Sequence, residues 1–304
     1  MERYRSIVYD SARWEGFELR PGDIIITTPP KCGTTWTQMI LALLILQEPV
    51  LPRPLSVLSP WLDMQNRARR DLFADLAQQP YRRFIKTHTP LDGLPMDPSI
   101  TYVCVGRDPR DVALSMDNHM DNLNIPVFLE ARAAAAAVDG VELEPPMPPP
   151  PRHEDPIDRF WAWVDDETPP TQIGSSLLRT LRHFDTVVHP PRDVDVVLLH
   201  YDDLQADLEG QMRELATHLD LSVPESAWPA LVEAATFDQM RAKAQVTAPG
   251  GHLGQWNETE RFFNRGTSGQ WRGLLDDADL DRYRARAKQI GPADVVEWAH
   301  GGDL

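Results

Sequence analysis

A mostly parallel β-sheet flanked by helices, in a single α/β domain spanning residues 1–304, is the fold this sequence predicts. Three observations predict it. Four short runs rich in β-branched and apolar residues lie along the chain with helix-type segments between them, an alternation that favours parallel strands with crossovers on both faces. Each run ends in a polar or charged cluster. Ligands in such folds bind beyond the carboxyl ends of the strands, so the four clusters are expected around one crevice.

The first run is Ile24–Thr28, three isoleucines and two threonines stopped by Pro29 and Pro30. Apolar residues then fall at Trp36, Met39, Ile40, Leu43 and Leu44, the spacing of a helix face packed on a core. The segment therefore reads strand, tight loop, helix. The first backbone N–H groups of such a helix lack partners within it, its dipole favours negative charge, and Lys31 adds a full cation. A thiol at a helix N-terminus also has a lowered pKa, which makes Cys32 a candidate reactive cysteine.

The second run is "RFIKTH" (83–88), ending in Lys86 and His88, two residues apart and so on one face. The third is "SITYVCVGR" (99–107), ending in Arg107; Arg110 and Asp111 behind it read as a solvated helix start. The fourth is "DVDVVLLHY" (193–201), ending in Tyr201 and Asp202. Between 125 and 156 the pattern breaks into an alanine run, read as a short helix, and a proline run, read as extended solvated chain. That insertion, at about 125–155, is either a surface excursion or a lid over an acceptor pocket. A stretch at 246–271, with five glycines and little periodicity, suits a loop that closes over a ligand.

Composition narrows the function. The net charge of −16 repels nucleic acid and anionic membrane surfaces, so neither is an expected partner, and a polyanionic ligand must be held by a local cluster of cations and backbone donors. Two cysteines, Cys32 and Cys104, give no disulfide framework, and the N-terminus has no apolar leader core; a cytoplasmic protein without a membrane span is expected. The histidines and cysteines form no pairs at zinc-ligand spacing, so no metal is expected. The nucleotide-triphosphate loop G-x-x-x-x-G-K-[ST] is absent: no glycine precedes Lys31, and Cys32 stands where the magnesium-binding hydroxyl belongs. Lys31, Gly33, Thr34 and Thr35 suit an anion held without metal.

Taken in order, "PKCGTTW", "KTH", an arginine followed eight residues later by a serine (Arg107 and Ser115), "HYDDL", "TFDQM" and "FFNRGTSGQW" resemble the motifs of the cytosolic-type sulfotransferases over residues 24–271. These enzymes use 3'-phosphoadenosine 5'-phosphosulfate (PAPS) and release 3'-phosphoadenosine 5'-phosphate (PAP). The resemblance implies a metal-free, in-line transfer of a sulfuryl group to the hydroxyl of a small or lipid-like acceptor. It implies a catalytic set of Lys31, Lys86, His88 and Ser115, with His88 as the base. The 5'-phosphosulfate would lie on Lys31, Cys32, Gly33, Thr34 and Thr35, and the adenine between Trp36 and Phe237. The segment Thr236, Phe237 and Met240 would line the adenine side, and Tyr201 would reach the adenosine. Arg107 and Ser115 would hold the 3'-phosphate, with Phe263, Asn264, Arg265 and Gly266 closing over it. Asn264 stands where the family has arginine, and Gln270 where it has aspartate. The family's dimerisation segment has no counterpart in "RGLLDDADLD", which leaves the oligomeric state open. A nucleotide-dependent kinase and a non-catalytic nucleotide or lipid binder are the alternative readings. Trp61, Phe73, Phe128, Trp161 and Trp163 are available to line an acceptor pocket.

Overall fold

The computed structural model describes residues 1–143, 152–302 and 304. The four expected strands are present as β1 (Ile24–Thr27), β2 (Phe84–Thr87), β3 (Thr101–Gly106) and β4 (Asp195–His200), each somewhat shorter than its apolar run. They form one all-parallel sheet in the order β2-β1-β3-β4. Ile24 stands beside Phe84 on one side and Thr101 on the other, and Thr101 beside Asp195. Parallel pairing puts all four carboxyl ends on one edge.

Period-two alternation sorts the strand side chains into two cores. Ile25, Ile85, Tyr102 and Cys104 pack on one face with the helices Pro156–Val164, Leu177–Val188 and Asp277–Ile290. Ile24, Ile26, Phe84, Val103 and Val105 pack on the other with Thr34–Leu46, Leu208–His218 and Trp228–Ala235. The helix Thr34–Leu46 was expected to bury one face. It is buried nearly all round, Leu41 and Ala42 included, because β1 and its own helix lie at the centre of the molecule.

The alanine run, expected as a short helix, is longer than that. It forms a helix of 15 residues, Ile125–Asp139, capped by Asn124 and turning inward Phe128, Arg132, Ala135 and Ala136. Its last carboxylate, Asp139, accepts from the Arg69 backbone N–H at 2.9 Å and pairs with Arg13 at 3.3 Å. The proline run at 144–151 lies outside the described residues. Beyond it Arg159 donates to Asp117 at 3.0 Å, tying the chain back to the helix Pro109–Asn122. Among the described residues no helix is long and apolar enough to cross a membrane.

Candidate active site

The loop after β1 is shaped by two residues at positive φ. Lys31 sits at φ 68°, and its carbonyl is fixed by Arg107 Nη1–H at 2.8 Å. Gly33 sits at φ 105°, a conformation that residues with a side chain rarely adopt, and a Cβ there would crowd the Tyr201 ring at 3.2 Å. The following helix starts with no capping side chain, and the buried Thr34 hydroxyl has no hydrogen-bond partner. An uncapped helix N-terminus and an orphaned hydroxyl beside a lysine fit the phosphate end of an anionic ligand.

The end of β2 meets this loop. His88 Nδ1–H donates to the Thr28 carbonyl at 2.6 Å, which fixes the tautomer and leaves the lone pair on Nε2. Burial, then the nearby Lys86 charge, hold the His88 pKa well below 6.5, so the ring is neutral at physiological pH. Trp61 brings the two residues of this strand end together: its ring lies 4.5 Å from that of His88 and 4.4 Å from the Lys86 ammonium. Burial lowers Lys86 to about 8, opposed by the carboxylate of Asp63. Lys31 is lowered to about 7 by burial and by the charges of Arg107 and Lys86. Lysine charge at this edge is thus poised near neutrality, where an anion would hold it fully protonated.

Across β3, Arg107 lies 4.2 Å from the Tyr201 ring, and its Nε is buried without a partner. Tyr201 meets Trp36 edge-on at 5.4 Å, and Trp36 donates its indole N–H to the Ala235 carbonyl at 2.8 Å, next to Thr236 and Phe237. The Thr236 hydroxyl is committed to capping, donating to Glu233 at 2.8 Å and accepting from Gln239 N–H. Met240 is buried beneath this segment. Phe237 packs on Phe263 at 6.1 Å and against Gly266, where any Cβ would collide with its ring. Ser115 is half-buried on the helix Pro109–Asn122, while Asn264 and Arg265 are exposed.

Several expectations change. The Cys32 thiol is fully buried in the core with Ile25 and Cys104, donates only to the Pro30 carbonyl at 3.7 Å, and is pushed up to about 12 by burial. It is neither reactive nor turned to the loop's anion space. Arg110 and Asp111 are no solvated helix start, for each is 1% exposed. Asp108 caps the helix and binds Arg110 at 2.7 Å, Arg110 stacks 3.8 Å from Trp271, and Trp271 donates to Asp108 at 3.0 Å. Asp111 accepts from the backbone N–H groups of Gly269 (2.7 Å) and Gln270 (2.8 Å). The pair is thus the anchor of the 263–271 loop. Of the five aromatics available for the acceptor side, Trp61 lies against His88 and Lys86; Phe73 packs on Phe17, Trp161 on Phe160, Trp163 donates to Ser175, and Phe128 is buried on the helix Ile125–Asp139.

Residues that no motif flagged complete the strand ends. Asp63 accepts from Trp14 (3.2 Å), Thr87 (2.6 Å) and Thr89 (2.6 Å), bracing the turn on which His88 sits. His183 approaches Thr27 Oγ1 at 2.9 Å, and Arg179 donates to the His88 carbonyl at 2.8 Å. His119 lies 3.4 Å from the Lys31 ammonium. Asp63, Arg179 and His183 stand among apolar neighbours, which does not separate a brace from a surface residue, and His119 lies in the polar run "SMDNHMDN", which gives no signal at all.

Residues 21–291 match the sulfotransferase domain. The chain belongs to that family. This sulfotransferase is 40% identical to a glycolipid sulfotransferase of Mycobacterium bovis, the match covering 98% of this chain and 94% of the relative. Its fold matches a mouse sulfotransferase solved in complex with PAP, with a TM-score of 0.67 at 17% identity over 95% of this chain and 94% of that one. It also matches retinol dehydratase solved with retinol and PAP, with a TM-score of 0.66 at 20% identity over 92% and 84% of the two chains. The enzyme class is therefore sulfuryl transfer, and the parallel sheet with flanking helices is the sulfotransferase fold.

Proposed function

We propose that the enzyme transfers the sulfuryl group of PAPS to a hydroxyl of a glycolipid or similarly lipid-like acceptor, with His88 as the base and no metal in the mechanism. The observation that carries the reading is the junction of β1 with its helix, an uncapped N-terminus with an orphaned Thr34 hydroxyl beside Lys31. When bound, PAPS supplies an electrophilic sulfur and a phosphate leaving group. Lys31, Gly33, Thr34 and Thr35 would hold its 5' end, Trp36 and Phe237 the adenine, and Arg107, Ser115, Arg265 and the Gly266 amide the 3'-phosphate. The unpaired Nε of Arg107 is one free donor for that phosphate. Lys31 offsets charge growing on the leaving oxygen, a preorganised term of the kind that often dominates catalysis. Neutral His88 takes the acceptor proton on Nε2. A weak base suffices, because a hydroxyl becomes strongly acidic as its oxygen bonds to sulfur. Trp61 supplies an apolar wall beside His88, in keeping with the glycolipid acceptors named for the mycobacterial relative.

The test is transfer from radiolabelled PAPS to a panel of glycolipids, simple phenols and sterols. Label in the glycolipid fraction is expected. PAP binding without transfer to any hydroxyl would favour a nucleotide-binding protein on the same fold, and magnesium-dependent phosphate transfer from ATP would favour a kinase.

A further inference from the structure

The helix Pro109–Asn122 presents Asp111, Ser115 and His119 at four-residue spacing, and so on one face. Asp111 holds the 263–271 loop, and His119, two turns on, reaches the loop after β1. Its Nδ1 lies 3.4 Å from Lys31 Nζ. The imidazole is packed by Trp256 at 4.9 Å and Phe262 at 6.3 Å; Trp256 is itself fixed by its N–H to the Pro249 carbonyl at 2.7 Å and by a backbone bridge to Leu123. The Lys31 ammonium sits 4.7 Å from the Phe262 ring. The charged groups felt by Lys31 are cations, Arg107 from β3 and Lys86 from β2, and its own loop offers the neutral thiol of Cys32. Burial, then the charges of Lys31 and Lys86, hold the His119 pKa well below 6.5 and keep the ring neutral. An ammonium on a flexible four-carbon stem among like charges needs a neutral acceptor to stay in place and stay protonated.

We propose that His119 is a positioning residue for Lys31: its Nδ1 accepts from the ammonium and holds that charge ready for the phosphate end of the bound cofactor. The proposal rests on the sulfotransferase reading, in which Lys31 serves the leaving oxygen. With Nδ1 as acceptor the ring proton sits on Nε2. Losing the acceptor destabilises the ammonium, so the Lys31 pKa falls and the alkaline limb of activity moves to lower pH.

The chain has four lysines, Lys31, Lys86, Lys243 and Lys288, so a lysine-selective ¹⁵N NMR titration resolves Lys31 directly. Three proteins are compared: the parent, His119→Leu, which keeps bulk without an acceptor, and His119→Asn, whose Oδ1 stands as far along the side chain as Nδ1. Expected are a Lys31 titration about one pH unit lower in the Leu variant, near-parent behaviour in the Asn variant, and a roughly tenfold fall in kcat for Leu, largely recovered by Asn. The proposal is overturned if Leu matches the parent while Asn is impaired, the pattern of a ring that only packs Trp256 and Phe262. Should the Leu variant lose its spectral dispersion, a parent-like Lys31 titration in Asn supports the proposal and a lowered one overturns it. Because the titration needs no acceptor, it still decides the role of His119 if no sulfuryl transfer is found.

Discussion

The two loops assigned to the nucleotide are built on opposite principles. The loop from Thr28 to Gly33 joins a buried strand to a buried helix, and side chains fix its backbone at both ends: His88 on the Thr28 carbonyl and Arg107 on that of Lys31. The loop from Phe263 to Trp271 is fixed at its edges and, in the middle, only through its backbone, with Arg107 donating to the Thr267 carbonyl at 3.3 Å. Phe263 and Trp271 are buried, Gly269 and Gln270 donate to Asp111, and Asn264, Arg265 and Thr267 are exposed. Gln205 and Ser268 add a side stay, through Gln205 to the Gly266 carbonyl at 2.6 Å and Ser268 to Asp202 and Gln205. The first loop is preorganised by the fold itself. The second we read as a clasp whose backbone is stayed and whose exposed side chains, Asn264 and Arg265, would grip the ligand. Changes at the first loop should therefore damage chemistry, and changes at the second affinity alone.

The largest effect expected is at the strand ends. His88→Ala should lower turnover by about 10²–10⁴ while leaving PAP affinity close to the parent value, since the proposed base would serve the acceptor and not the nucleotide. Lys31→Ala should damage both turnover and affinity, because its charge serves ground-state anion and leaving oxygen alike. Transfer rates paired with calorimetric PAP titrations check both. Near-parent turnover of the His88 variant across several acceptors would remove it from the mechanism.

At the clasp, Asp111→Ala leaves the half-buried backbone N–H groups of Gly269 and Gln270 without their carboxylate, a loss at the low end of the about 1–3 kcal/mol that a buried unpaired group costs. The expected outcome is PAP affinity lower by roughly tenfold or more, a lowered Tm, and a kcat at saturating cofactor near that of the parent. Asp111→Asn keeps one acceptor and should fall between. If the alanine variant lost kcat as severely as His88→Ala while binding PAP normally, the division of labour between the loops would be wrong.

Much of the first loop was legible in the sequence because its logic is local. A β-branched run, two prolines, a lysine, a glycine and a helix period occupy 21 consecutive residues, Ile24 to Leu44, and each signal has a short-range cause. The four strands were legible for the same reason, whereas their order β2-β1-β3-β4 depends on crossovers that no run of residues encodes. Asp111 shows the limit. An acidic residue in a first helical turn has a sufficient local explanation in the helix dipole, so nothing pointed to partners 158 and 159 residues away. Cys32 failed in the opposite sense: the helix N-terminus that lowers thiol pKa was present, but the side chain turns into the core, where burial outweighs the dipole. His119 was invisible because its partner Lys31 lies 88 residues earlier, on another element.

The smallest effect, and the sharpest test of the clasp, is at Asn264. Asn264 stands where the family has arginine, and Arg261 and Arg272 are neighbouring cations in the sequence. Arg261 is engaged by Glu258 at 3.2 Å, and Arg272 stacks 4.5 Å from Trp271. Restoring an arginine there should add a contact to the 3'-phosphate. Because Asn264 and Arg265 are exposed, solvent screens the added charge, and the gain is that of a surface pair, about 0.2–1 kcal/mol, or roughly 1.4- to fivefold in PAP affinity. The gain should vanish for the analogue lacking the 3'-phosphate and shrink as salt is raised. An equal gain for both nucleotides would mean that the arginine only adds general attraction for anions. A gain well above fivefold would mean that the clasp closes and excludes water when PAP binds, moving the second loop toward the buried character of the first.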